Sequence, residues 1–372
     1  MSGTRTYLDY NASAPLREEA RAAVVEALDV FGNASSVHAE GRRARALIDE
    51  AREAVAELVQ AKPAEVVFTS GATESNTWAL GAPWERIAFA NVEHDSVRVP
   101  AEQIAAARGA QTIALPVSRD GVVDYKAAPA GPGTLLALQL ANNETGIVQD
   151  VTRAGLWATE NGVRLHCDAV QAPGRLRIDF RTLGATTMSL SAHKIGGPKG
   201  VGALVISGNA VLPPLLAGGG QEIRRRAGTE NVAGIAGFGA AARAALKDLE
   251  NAARIAALRD RLEAEALRAT PGAVVIGAGA ERLPNTTSLA LAGVSAETLV
   301  IKLDLMGIAV SAGAACSSGK VGQSHVLSAM GLSPEIARSA VRVSLGAATT
   351  EQDIAAFLAA WKRIGASASL AA

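Results

Sequence analysis

The chain has 372 residues with 36 Lys and Arg against 36 Asp and Glu, so no net field draws it to nucleic acid or to an acidic membrane surface. At roughly 100–200 residues per domain, this length predicts two domains. A hydrophobic content of 49% supplies a sizeable core and excludes disorder as the main state, and the 37 glycines and 14 prolines follow no collagen-like period.

No apolar stretch approaches the roughly 20 residues that a membrane helix requires, so no membrane span is expected. The opening residues Met1 to Tyr7 hold no apolar signal core, and the cytoplasm is the expected address. Cys167 and Cys316 are the two cysteines, without a Cys-x-x-Cys pair. Neither a disulfide framework nor a metal site is expected from them.

From Glu40 onward, Ala44, Leu47, Ile48, Ala51, Val55 and Leu58 recur mostly at spacings of three and four, which predicts an amphipathic helix ending near Val59. Short β-prone runs then alternate with helical or loop stretches, at 66–69, 87–90, 135–140, 163–167, 187–190 and 201–206. Their near-continuous apolar character predicts a sheet buried on both faces. The alternation predicts an α/β domain with a mostly parallel sheet over residues 13–248. A charged helix beginning near Leu249 marks the boundary. The remainder, 249–372, mixes apolar runs at 273–276 and 287–291 with helices near 296–306 and 324–330, as a smaller α+β domain does. Thr350 stands three residues before Asp353, a capping-box spacing ahead of Ile354, Phe357, Leu358 and Trp361. The tail 365–372 is expected to fray.

Five strand candidates run into polar clusters: Ser70-Gly71-Ala72-Thr73, Glu93-His94, Asn142-Asn143-Glu144, Asp168 with Gln171, and Ser191-Ala192-His193-Lys194. Ligands in open α/β sheets sit at the carboxyl ends of the strands, so the five are expected to converge on one crevice. Each cluster also has a plain reading. Thr69 to Thr73 suits an anion at a helix N-terminus or an ordinary cap. Asp168 suits a buried carboxylate facing a cation, such as a protonated pyridine nitrogen, or a turn cap before Pro173-Gly174. Lys194 is held near a strand end by the glycine-rich turn 196–200, where a partly buried amine has a lowered pKa and forms Schiff bases; Lys199 reads as an exposed turn lysine. Cys316 lies in a small-residue stretch, 311–319, as a candidate nucleophile on a loop, whereas Cys167 within a strand suits a buried, inert thiol.

The ordered set Tyr7-Leu8-Asp9-Tyr10-Asn11-Ala12, Gly32 to His38, Thr69 to Asn76, Asn142 to Gly146, His166 to Gln171, Ser191 to Gly200, Arg226-Ala227-Gly228-Thr229-Glu230-Asn231 and Ala315 to Gly319 resembles the cysteine desulfurases of the NifS/IscS type, nearest the NifS-like branch. These are fold-type I enzymes of pyridoxal phosphate (PLP). The resemblance implies a large PLP-binding domain over 13–248, and a small domain of 1–12 with 249–372 carrying the catalytic cysteine loop. It makes Lys194 the Schiff-base lysine, Asp168 the partner of the pyridinium nitrogen, and Gln171 a donor to the phenolic oxygen. His94 would stack on the ring and exchange a proton at the substrate sulfur. Ala72, Thr73, Ser191 and His193 would hold the phosphate, and Asn143 would contact the cofactor. Thr229 would reach the phosphate of a neighbouring subunit, which implies a homodimer. Arg342 would clamp the carboxylate of L-cysteine, with Asn11 close by. Cys316 would take the sulfur as a persulfide for an acceptor protein such as an iron-sulfur scaffold. His38, His166 and His325 are expected to serve structure. Lys320 to Ser324 departs from the family's usual stretch after the cysteine, with Gly322 as an added source of freedom. Beside housekeeping members, which dock a scaffold through a longer extension, the short tail after the last helix gives no ground to expect docking of that kind.

Overall fold

The computed structural model describes residues 5–210, 212–313 and 323–369. A two-residue strand, β1 (Thr6–Tyr7), opens them. Seven strands then form one sheet: β2 (Val66–Thr69), β3 (Arg86–Ala90), β4 (Gln111–Leu115), β5 (Thr134–Gln139), β6 (Arg164–Asp168), β7 (Thr187–Ser191) and β8 (Gly202–Ile206). Their order is β2-β8-β7-β6-β5-β3-β4. Strands β3 to β7 pair in parallel, and β8 runs antiparallel to both β7 and β2. The strand β2 therefore points the same way as the parallel set.

Every residue of β5, β7 and β8 is buried, as is all of β6 but its first. That explains why these runs read as apolar on both faces rather than alternating. Strand β4 escaped the sequence pattern for the opposite reason. It is a sheet edge whose Gln111, Thr112 and Ala114 are exposed, so it lacks an apolar run. The expected amphipathic helix spans Ala39–Leu58 and packs its buried stripe against the helix Val232–Asp248.

The second sheet is antiparallel, with strands β9 (Ala273–Ile276), β10 (Thr286–Leu291), β12 (Ser311–Ala312) and β13 (Ala340–Ser344) in the order β12-β13-β10-β9, while the intervening β11 (Ile308–Ala309) pairs in parallel with β1. Leu8 shares a hydrophobic cluster with Leu262, Leu299, Phe357 and Trp361, so the first described residues pack with the last third of the chain. The final helix, Glu351–Ser369, starts at the expected box: Thr350 N donates to Asp353 (2.9 Å) and Asp353 N to Thr350 (3.3 Å). It does not fray from residue 365 as the composition suggested. Gly365 lies so close to Thr270 that the small residue serves packing, and the helix runs on to Ser369. Among the described residues, no helix is long and apolar enough to cross a membrane.

The strand directions put Thr69, Ala90, Gln139, Asp168 and Ser191 at one edge of the large sheet, so the turns that follow β2, β3, β5, β6 and β7 open on the same side.

Candidate active site

A cavity of about 540 Å³ lies along this edge, lined by residues from all five predicted clusters. At one end stands the N-terminus of the helix Ala72–Leu80. Its cap is Gly71, which offers no side-chain hydrogen bond, so the first-turn N–H groups are left for a ligand. The turn can sit there because Gly202 on β8 has no side chain: a Cβ at 202 would lie 2.8 Å from the Gly71 backbone. Ser70, Ala72, Thr73, Ser191 and His193 line the cavity with it. His193 bonds Ser13 Oγ through Nδ1 (3.2 Å), and burial, then Lys194 and Lys199, push its pKa down to about 4.

Asp168 ends β6 in register with Gln139 and Ser189. Its Oδ2 accepts from Asn76 Nδ2 (2.8 Å) and its Oδ1 from Val170 N (3.0 Å). Asn76 donates equally to Ser96 Oγ (2.9 Å), and its Oδ1 faces His166 Nε2 (3.0 Å). With both amide protons of Asn76 committed, His166 must be the donor, so its proton sits on Nε2 and its Nδ1 accepts from Thr187 Oγ1 (2.8 Å). Burial pushes His166 down to about 4 and keeps it neutral. The chain His166–Asn76–Asp168 thus fixes the carboxylate from behind. Asn76 and His166 fell within quoted motifs, but nothing in the sequence paired them.

His94 caps the helix Asp95–Arg108, its Nδ1 accepting from Ser96 N (3.0 Å), so the neutral ring carries its proton on Nε2. Burial lowers its pKa, opposed by Asp168 and aided by Lys194. Lys194 ends a short turn after β7 and donates Nζ to the carbonyls of Asn11 (2.6 Å) and Ala12 (3.1 Å). Gln171 Nε2 donates to the same Asn11 carbonyl (3.1 Å), and Arg175 donates to Gln171 Oε1. The backbone of Asn11 therefore orients both. Its side chain is spent on the fold: Nδ2 donates to Thr286 Oγ1 (2.9 Å) and Asn143 O (3.3 Å), and Oδ1 accepts from Asn285 (3.1 Å).

Arg342 on β13 forms the opposite wall, 4% exposed. It donates Nη1 to Asn143 O (2.9 Å) and Nη2 to Asp9 Oδ1 (2.8 Å), while Ser311 Oγ donates to Asp9 Oδ2 (2.8 Å). Its buried Nε has no hydrogen-bond partner among the described residues. Asp9 thus aims the guanidinium, a role that the sequence motif did not reveal.

Cavity, uncapped helix end, carboxylate and lysine stand together, and the known proteins agree. The sequence profile of the family described as aminotransferase class-V matches residues 6–357. The chain belongs to that family. It is 40% identical over 360 residues to "Cysteine desulfurase IscS" of Dictyoglomus turgidum, covering 94% of this chain and 91% of that one. The solved structure titled "NIFS-LIKE PROTEIN" superposes with a TM-score of 0.90 at 32% identity, covering 97% of this chain and 99% of the other. Another, "SspA in complex with cysteine", gives 0.79 at 30% identity, covering 91% and 98%. The fold is accordingly the fold-type I class-V architecture, and the family works with PLP.

Within this class-V frame, the cavity gathers Asn11, Ala72, Thr73, His94, Asn143, Asp168, Gln171, Ser191, His193, Lys194 and Arg342. Lys199 is exposed at its rim. Thr229 is exposed and does not line it. Cys316 lies outside the described residues, as do 314–322 generally. Cys167 is fully buried, and burial pushes its thiol well above the ordinary range. His38 caps the helix Ala39–Leu58, and His325 bonds the Glu93 carbonyl (2.9 Å).

Proposed function

We propose that the chain is a cysteine desulfurase, which removes sulfur from L-cysteine to give L-alanine and leaves it as a persulfide on Cys316 for an acceptor protein. The observation that carries this reading is the single crevice in which Lys194, Asp168, Gln171, His94 and an uncapped helix N-terminus face Arg342. Its volume lies in the range of small-ligand sites, and its donor set fits PLP. The helix end with Thr73, Ser191 and His193 suits a phosphate; Asp168 suits a protonated ring nitrogen.

In this reading Ala72, Thr73, Ser191 and His193 would hold the phosphate, Asp168 would favour a protonated ring nitrogen, Gln171 would donate to the phenolic oxygen, and His94 and Asn143 would contact the cofactor. Bound PLP supplies the electron sink that lets the Cα–H bond of the substrate break. Arg342 holds the substrate carboxylate through its remaining N–H groups, with Asn11 fixing the wall beside it. Lys194 takes the Cα proton and later returns one. His94, neutral with its proton on Nε2, serves the substrate sulfur as acid or base. The Cys316 thiolate attacks that sulfur: the S–S bond forms as the C–S bond breaks, and the electron pair left on carbon is protonated to complete alanine.

Two units support this chemistry, a PLP-binding unit over 13–248 and a second of 1–12 with 249–372. The cluster joining Leu8 to residues 255–364 favours the second. Thr229, exposed and away from its own cavity, suits a phosphate contact in a neighbouring subunit of a homodimer. An iron-sulfur scaffold is a fitting acceptor, and the cytoplasm the fitting compartment.

The test is purified protein given L-cysteine, with alanine and protein-bound sulfane sulfur measured for wild type and Cys316→Ala. Both products should vanish in the variant while the visible absorbance of bound PLP persists. An unchanged alanine yield would overturn the reading.

A further inference from the structure

Glu144 is buried, takes no part in the cavity wall, and is not used by the chemistry above. It belongs to a rigid turn. Asn142 Oδ1 accepts from the backbone N–H groups of Glu144 and Thr145 (both 2.9 Å), and Asn142 Nδ2 donates to the Val92 carbonyl (3.1 Å). From this platform the carboxylate bonds Ser324 and lies beside Gly313, residues on either side of 314–322, the stretch containing Cys316. Ser324 Oγ donates to Glu144 Oε2 at 2.6 Å, and a Cβ on Gly313 would lie 2.9 Å from the same oxygen. A side chain at 313 would push against that oxygen.

Both flanks are themselves anchored. Gly313 follows β12, which pairs with β13 at Arg342 and Val341. Ser324 caps the helix His325–Ala329, accepting from Leu327 N (3.1 Å). The preceding residue of the turn, Asn143, offers its carbonyl to Arg342 (2.9 Å). One turn therefore meets the guanidinium on one side and both flanks of the cysteine stretch on the other.

We infer that Glu144 is a positioning residue that bonds Ser324 and packs beside Gly313, the two flanks of the Cys316 stretch, and so holds them against the turn that carries Arg342. The inference rests on the desulfurase reading for its kinetic meaning, but its geometry stands apart from it. At 2.6 Å the Ser324 hydroxyl is within bonding distance of the carboxylate, and such a bond is strongest when the acid is ionised. Burial, with Asp95 beyond, raises the acid to about 7, while the Ser324 bond and Arg342 work against the rise. The charge-assisted bond is therefore present above neutrality and weakens as pH falls below about 7.

The test uses holoenzyme carrying Glu144→Ala or Glu144→Gln, and follows two events after L-cysteine is added. One is the first absorbance change of bound PLP, which reports substrate arrival and Cα proton loss. The other is persulfide formation on Cys316, measured across pH. Glu144→Ala should slow persulfide formation about tenfold, the worth of one charge-assisted bond, and leave the first change intact. Glu144→Gln, which still accepts from Ser324, should recover most of the rate at neutral pH and show a shallower decline below pH 7 than wild type, because only the titration of the Cys316 thiolate and His94 then remains, a readout that a merely structural role would not move. Equal rates in Glu144→Ala and wild type, equal loss of both events, or a decline in Glu144→Gln as steep as that of wild type would overturn the inference. If wild type forms no persulfide, the desulfurase reading fails, and alkylation of Cys316 by iodoacetamide decides instead. A rate in Glu144→Ala within about twofold of wild type then overturns the inference, and a larger change sustains it.

Discussion

Along the carboxyl edge of the large sheet, each functional side chain sits within a few residues of the strand that carries it, whereas the facing wall is assembled from segments as distant as Asp9, Ser311 and Arg342. On the sheet side, position is set by ladder register: Gln139, Asp168 and Ser189 stand opposite one another in β5, β6 and β7. On the facing side, the ladder sets Ser311 opposite Arg342, and hydrogen bonds from the guanidinium to Asp9 and to the Asn143 carbonyl, segments outside that ladder, then aim it. The difference teaches that a substitution at the sheet edge should remove chemistry and spare geometry, while one on the far wall should act through its neighbours.

The largest expected effect breaks or keeps the first half of that comparison. Lys194→Ala should lower turnover by at least about 10³-fold, the scale of losing a positioned proton-transfer group, while the protein stays folded and retains PLP non-covalently. Loss of both fold and cofactor would show that the sheet edge does not hold its geometry independently of this lysine. A thermal melt and the cofactor absorbance after gel filtration distinguish the outcomes.

The second effect sharpens the account of the sheet side, where register is backed by a buried polar chain. His166 has an ordinary value of 6.5 in the unfolded chain and about 4 in the fold, because burial disfavours the charged ring. Its stabilising contribution is complete above pH 6.5 and is lost as pH falls toward 4, a change of about 3 kcal/mol by linkage. The urea midpoint should therefore drop across this window in wild type. In His166→Gln that slope should flatten, and a slope of wild-type size would assign it to other groups.

How much of this was legible depends on the same distinction. Strand-end clusters could be read because alternation of apolar runs with polar turns is local, and Lys194, Asp168 and His94 each follow such a run. Strand β4 was not legible, since an exposed edge has no apolar run to show. Asn76 lies inside the short helix Ala72–Leu80, and its only signal was a polar residue in a stretch that had to be buried; its partners His166 and Asp168 come from a strand about 90 residues on. Glu144 could be seen as one of a polar trio, but its contact with Ser324 spans 180 residues, which spacing cannot encode. Asn11 was legible as a wall residue, yet the atom that orients Lys194 and Gln171 is its backbone carbonyl, which no side-chain pattern marks.

The smallest effect tests the far wall itself. Asp9 accepts from Arg342 and from Ser311 with its two oxygens, so Asp9→Asn keeps the size, removes the charge and leaves at least one of these bonds without its acceptor. Two consequences oppose each other. Weaker anchoring lets the guanidinium swing from the geometry that receives a carboxylate, and loss of the negative neighbour frees one N–H for the substrate. Arg342 is nearly fully buried, and an orphaned donor there costs on the order of 1–3 kcal/mol, a strain that the side chain relieves by turning away. Misorientation should therefore win, raising KM for L-cysteine about tenfold with kcat nearly unchanged. A lowered KM would mean instead that Asp9 competes with the substrate carboxylate for Arg342, making the far wall a gate on substrate binding rather than a clamp.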